Sequence, residues 1–452
     1  SENGIPYYNN NINVNVNCES GKIFNYNYNM EDDLIFPDTK GAIPLNTAEK
    51  AYADMLGLKL IYQHSYDSKN KKLSIYPTYV PKYDNNLYAI DANTGEKIKT
   101  GYPYYFDNAM SDGNQAQNIM FEKDMLKMAA GDRGEPVLTP EELKVAKEQS
   151  NLLSEKDVEK IAREITEIGL DENYELKNWN LNRNWPMQNE YIYSLSFIKE
   201  INKETGEKDA KDSILVKYPK TIRTSVSIDA KTGELLSFNA SSEYEDNKED
   251  KPKFDKESAK AVAEEFLKVF LREKFEQIEL TEPEEYYVYS SNNENEPQRY
   301  FTFSYTRKVN GILFPSNTVN VGFDAVRGKI TNYNITWFNV DFPAVDNVIS
   351  VDEANKALFD KIGLELQYKK VYIPDLVADD TKAVKILPPP EPVGDDKTEI
   401  KLLYVLKSGK PFILDAYTGN VIDYQGNLYK EEKPAEYTDL SGHFAEKQIT
   451  QL

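Results

Sequence analysis

Sliding the sequence along itself by 307 positions lays residues 3–27 on residues 310–334 without a gap, with twelve identities in twenty-five positions. Asn3-Gly4-Ile5 falls on Asn310-Gly311-Ile312, Gly21-Lys22-Ile23 on Gly328-Lys329-Ile330, and Asn25-Tyr26-Asn27 on Asn332-Tyr333-Asn334. After a slip to 306 the match resumes, with Phe36-Pro37 on Phe342-Pro343, Gly57-Leu58 on Gly363-Leu364, and Tyr62 on Tyr368. A chain that repeats itself folds as repeated units that bury apolar faces against one another. The repeat predicts the back half of one unit at 1–105 and a complete unit at 152–428, with sub-modules at about 152–245, 252–340 and 345–428. A helical connector at 106–151 joins them, opened by Thr139-Pro140-Glu141-Glu142.

A finer element recurs four times: Ile90-Asp91-Ala92-Asn93-Thr94-Gly95, Ile228-Asp229-Ala230-Lys231-Thr232-Gly233, Phe323-Asp324-Ala325-Val326-Arg327-Gly328, and Leu414-Asp415-Ala416-Tyr417-Thr418-Gly419. An Asp that bonds the turn backbone, followed by Gly in the left-handed position, is hairpin chemistry. A calcium loop would need its glycine one position later. Helices precede these hairpins: Ser154 with Asp157, Asp255, and Ser350 with Glu353 are cap signatures, each followed by an apolar stripe. Strands at 191–201 and 214–229, and at 299–308 and 312–324, complete an α+β design. It consists of tandem modules, each with one helix on an antiparallel meander.

The net charge of -21 excludes a phosphate-binding face and disfavours anionic lipid. The lone Cys18 excludes an internal disulfide framework, and no apolar run reaches the length of a membrane span. Two histidines, His64 and His443, leave little for a Ser-His-Asp triad or a histidine zinc site. Lys370 takes the place of His64 in the second copy. Cys18 falls opposite Ala325, a place for a small packed residue. Glu284-Glu285 and the aromatic stretch Trp179–Trp185 are the best candidates for a carboxylate-based glycosidase, but among 75 acidic residues adjacent carboxylates arise by chance. The methionines at 110, 120, 125 and 128 read as packing within the connector. The expectation is a chain without catalytic, cofactor or metal residues.

A helix followed by strands and a closing IDAxTG strand pair resembles the PepSY domain. The larger unit resembles the YcdB/YcdC repeat family through Leu138 to Glu142, Trp185, Ile228 to Phe238, Tyr305 to Gly311, and Ile330 to Trp337. That resemblance implies an exported binding or inhibitory module. Tyr437-Thr438-Asp439-Leu440-Ser441-Gly442-His443-Phe444-Ala445 resembles the opening of an S-layer homology domain. Tyr437 stands where that family has Phe, and Phe444 where it has Trp. The resemblance implies a partial wall-anchor motif at Tyr437, Asp439, His443 and Phe444. It also implies an extracellular place on the cell wall, with secondary cell-wall polysaccharide as the partner of the complete S-layer homology domains. The leading expectation is a non-catalytic surface protein. The alternatives are a propeptide-like modulator of a secreted peptidase, with that peptidase or a neighbouring surface protein as partner, and an envelope polysaccharide hydrolase.

Overall fold

A computed structural model describes residues 2–17, 20–83, 87–100, 150–184, 190–201, 220–240, 250–281, 298–372, 398–431 and Gly442. The chain opens with strands β1 (Asn11–Val16) and β2 (Ile23–Asn29), helix α1 (Leu45–Met55), and strands β3 (Leu58–Asp67), β4 (Lys72–Pro81), β5 (Tyr88–Asp91) and β6 (Lys97–Lys99). Next come α2 (Glu155–Glu164), β7 (Glu175–Arg183), β8 (Tyr191–Ile201), β9 (Lys220–Asp229) and β10 (Leu235–Ala240). Then follow α3 (Lys256–Leu271), β11 (Ile278–Leu280), β12 (Tyr300–Val309), β13 (Ile312–Asp324) and β14 (Lys329–Thr336). The chain closes with α4 (Val351–Lys361), β15 (Leu364–Tyr372), β16 (Thr398–Leu406) and β17 (Leu414–Asp415). This is the α+β class the sequence predicts. No helix among the described residues is long and apolar enough to cross a membrane.

The caps fall where the sequence puts them. Ser154, Asp255 and Ser350 each accept a hydrogen bond from the backbone N–H three residues on, and each closes a reciprocal capping box. Ala259, Ala263, Phe266 and Leu267 form the buried stripe of α3, while Val262, expected on that stripe, is partly exposed.

All four Asp-Ala turns are built alike. Asp91, Asp229, Asp324 and Asp415 each accept from the backbone N–H groups two and three residues ahead. The closing Gly95, Gly233, Gly328 and Gly419 all have φ between 64° and 76°, the left-handed region that favours glycine. Each turn's alanine carbonyl accepts the N–H of the residue leading into a helix: Ile43 on Ala92, Leu153 on Ala230, Lys253 on Ala325, Ile349 on Ala416. The motif is therefore the clasp that holds each helix on its sheet.

In the middle of the chain this scheme is local. The α2 and α3 sheets, β7 to β14, merge into one core in which Phe197, Val226, Phe238, Phe323 and Tyr333 are buried. The two remaining helices use each other's hairpins. β5 pairs with β16 (Tyr404 opposite Ile90), and β17 pairs with β4 (Leu414 opposite Tyr79). The Tyr404 hydroxyl donates to the Ile43 carbonyl ahead of α1, and the Tyr79 hydroxyl to the Ile349 carbonyl ahead of α4. Tyr62 stacks edge-on against Phe342 and donates to the Pro343 carbonyl, as Tyr368 does with Phe36 and the Pro37 carbonyl. The two copies thus exchange hairpins reciprocally. One shared core, including Tyr52, Leu58, Ile90, Leu358, Tyr404 and Leu414, locks them together.

Candidate interaction surface

The ribbon β1–β2 repeats β13–β14 pair for pair. Asn11 faces Asn29, Asn13 faces Asn27, Val14 faces Tyr26 and Val16 faces Ile23, with a bulge between Asn15 and Val16. Adding 307 to each number reproduces Thr318–Thr336, Asn320–Asn334, Val321–Tyr333 and Phe323–Ile330, with the bulge between Gly322 and Phe323. The base closes alike in both: the Asn10 side chain accepts from the Glu31 N–H at 3.0 Å, and the Asn317 side chain from the Phe338 N–H at 3.1 Å. Repeated sequence has produced repeated register, because side-chain alternation and turn geometry together fix which residues face each other.

The surroundings differ completely. β13 is flanked by β12 and β14, and β14 also by β10, with α3 packed on the apolar face. Among the described residues β1 and β2 pair only with each other. Alternation sends Ile12, Val14, Val16, Ile23, Tyr26 and Tyr28 to one face and asparagines 11, 13, 15, 25, 27 and 29 to the other. Val14 is 45 % exposed where Val321 is 0 %, and Tyr26 is 59 % exposed where Tyr333 is 1 %. One ribbon therefore presents a contiguous apolar face, a polar asparagine face and open backbone edges.

Its base is held firmly. Tyr7 is buried against Phe36, and burial together with the neighbouring Glu31 carboxylate pushes its hydroxyl pKa up to about 12. Glu31 also takes an ion pair from Lys370 at 3.0 Å, and Asn10 donates to the Glu31 carbonyl. The surface is thus clamped to the exchanged body at one end and open along its length.

The residues singled out from sequence fall elsewhere. Tyr437, Asp439, His443 and Phe444 lie outside the described residues, as do Glu284, Glu285, Trp185, Cys18 and the methionines at 110, 120, 125 and 128. Trp179 packs against Tyr193 on β7 and β8. His64 sits at the junction of β3 and β13. It is bonded to the Ser316 hydroxyl at 2.8 Å and walled by Phe314 and Phe338, and burial holds its pKa below the usual histidine value. Among the described residues no cluster of three or more His, Cys, Asp or Glu side chains is placed to hold a metal ion. The ribbon was legible only as an alternating strand, Ile12-Val14-Val16; that nothing covers it is a tertiary fact.

No curated protein matches the chain. The Bacillus megaterium YpeB C-terminal domain is similar at 15 % identity and a TM-score of 0.29, covering 60 % of this chain and 95 % of that one. Residues 155–337, from α2 through the residue after β14, match the family described as YcdB, YcdC repeated domain, and the covered hairpin β13–β14 lies inside that unit.

Proposed function

We propose that this chain is a non-catalytic interaction protein of a bacterial cell envelope, in which a YcdB/YcdC-type, PepSY-like unit supports a recognition surface at β1–β2. The observation that supports this reading is the apolar face of six side chains held out on a clamped base. Large apolar patches with polar rims mark interaction sites. Burying an apolar side chain of this size is worth roughly 1.5–3 kcal/mol, so the face gains substantially from a partner. Attachment to the wall belongs to the S-layer homology sequence that starts at Tyr437, through secondary cell-wall polysaccharide. The ribbon then acts at the outer surface. Backbone hydrogen exchange across 11–29, measured alone and with purified envelope proteins, tests the proposal. Protection gained there supports it; binding that leaves 11–29 unprotected overturns it.

A further inference from the structure

We infer that the ribbon is completed by a separate polypeptide supplying a helix-and-strand unit of the kind that α3 and β12 supply to β13–β14. The inference rests on the interaction reading above and names the partner's chemistry.

The second copy shows what such a hairpin needs. Phe301, Phe303 and Tyr305 of β12 stand opposite Phe323, Val321 and Val319, and all six are buried in one core. Subtracting 307 from the β13 numbers places an incoming antiparallel strand with bulky apolar side chains opposite Val16, Val14 and Ile12. Above β13–β14, Ala259 and Ala263 let α3 approach closely, and Phe266 meets Tyr333 edge-on at 5.3 Å. Tyr26 is the counterpart of Tyr333 and stands open to receive the same contact.

Two independent deficits have to be met together. The apolar face calls for an apolar cover, and the free edge of β1 leaves backbone N–H and C=O groups without a ladder partner. A lipid surface would meet the first and leave the second, because it offers no strand. A glycan would bond the edge and leave the face wet. A polypeptide that adds a strand and lays a helix over it meets both. A second copy of this chain is a poorer fit, since its own α3 and β12 are already engaged on its own β13–β14.

The probe is a fluorescent synthetic peptide with the sequence of residues 299–309, titrated into the full chain by anisotropy, with light scattering on the same samples. Saturable one-to-one binding is expected. It should weaken at least about tenfold in Val14→Asp and Tyr26→Asp, weaken likewise when the peptide carries Phe303→Asp, and persist in Asn13→Asp on the opposite face. Absence of binding, or binding that Val14→Asp leaves unchanged, overturns the inference. So would a dimer or a vesicle-bound form of the chain that Val14→Asp abolishes, although that result keeps the ribbon as an interaction surface. If Val14→Asp and Tyr26→Asp alter no association of any kind, the interaction reading falls as well.

Discussion

Two hairpins with one sequence pattern and one register have opposite fates in this molecule. β13–β14 is flanked on both sides and roofed by α3; β1–β2 stands out from the body on a clamped base. The difference teaches that register and cover are separate achievements. Register comes from alternation, a bulge and a turn glycine, all of which travel with the segment. Cover comes from whatever the fold brings next to it. A two-stranded ribbon alone is at best marginally stable in water, so the anchoring by Tyr7, Asn10 and Glu31 carries much of the ribbon's order.

The largest test of this contrast introduces a charge at equivalent positions. Val321→Asp places a carboxylate in a closed core and should destabilise by more than about 4 kcal/mol, whereas Val14→Asp should stay within about 0.5 kcal/mol. Urea titrations of the two variants check this, and equal losses would mean the ribbon is covered after all. The turn glycines sharpen it further. Gly328 and Gly21 share a positive φ, but a Cβ on Gly328 would lie 2.6 Å from the Phe254 ring. Gly328→Ala should therefore cost about 2–3 kcal/mol, combining backbone strain with overpacking, and Gly21→Ala about 1 kcal/mol from strain alone.

A smaller effect probes the exchanged hairpins, where the copies are alike instead of different. Tyr62→Phe and Tyr368→Phe each delete one hydroxyl that donates to a proline carbonyl of the other copy. Each should cost about 1 kcal/mol; a large inequality in chemical-denaturation midpoints would show that the exchange is not reciprocal in energy.

The smallest effect is a pH dependence. His64 has a folded pKa depressed by burial, so between that value and the unfolded value the unfolded chain binds more protons. Stability is then full above about pH 6.5 and declines as pH falls below it. Thermal melts from pH 7.5 to 5 should show this slope, and His64→Gln should remove the part due to this side chain. No such histidine term exists in the second copy, where Lys370 occupies the position and pairs with Glu31 instead.

Much of the fold is written locally. Ser154, Asp255 and Ser350 announce helix starts because an unsatisfied N–H needs an oxygen at a fixed spacing. Asp229 and Gly233 announce a turn because only certain residues accept that backbone. The candidate surface was half legible. Alternation at Ile12, Val14 and Val16 shows that one face is apolar, yet it cannot say whether that face is buried.

The sequence by itself determined the α+β class, the four Asp-Ala clasps and the identical register of β1–β2 and β13–β14, because each depends on residues close together in the chain. Only the tertiary structure decided that β5 joins β16 while β17 joins β4. It also decided that α3 roofs one hairpin and leaves its twin bare. Near-identical segments offer near-identical local energies, so the choice between closing a sheet at home and closing it on the other copy rests on long-range packing, which no local pattern encodes.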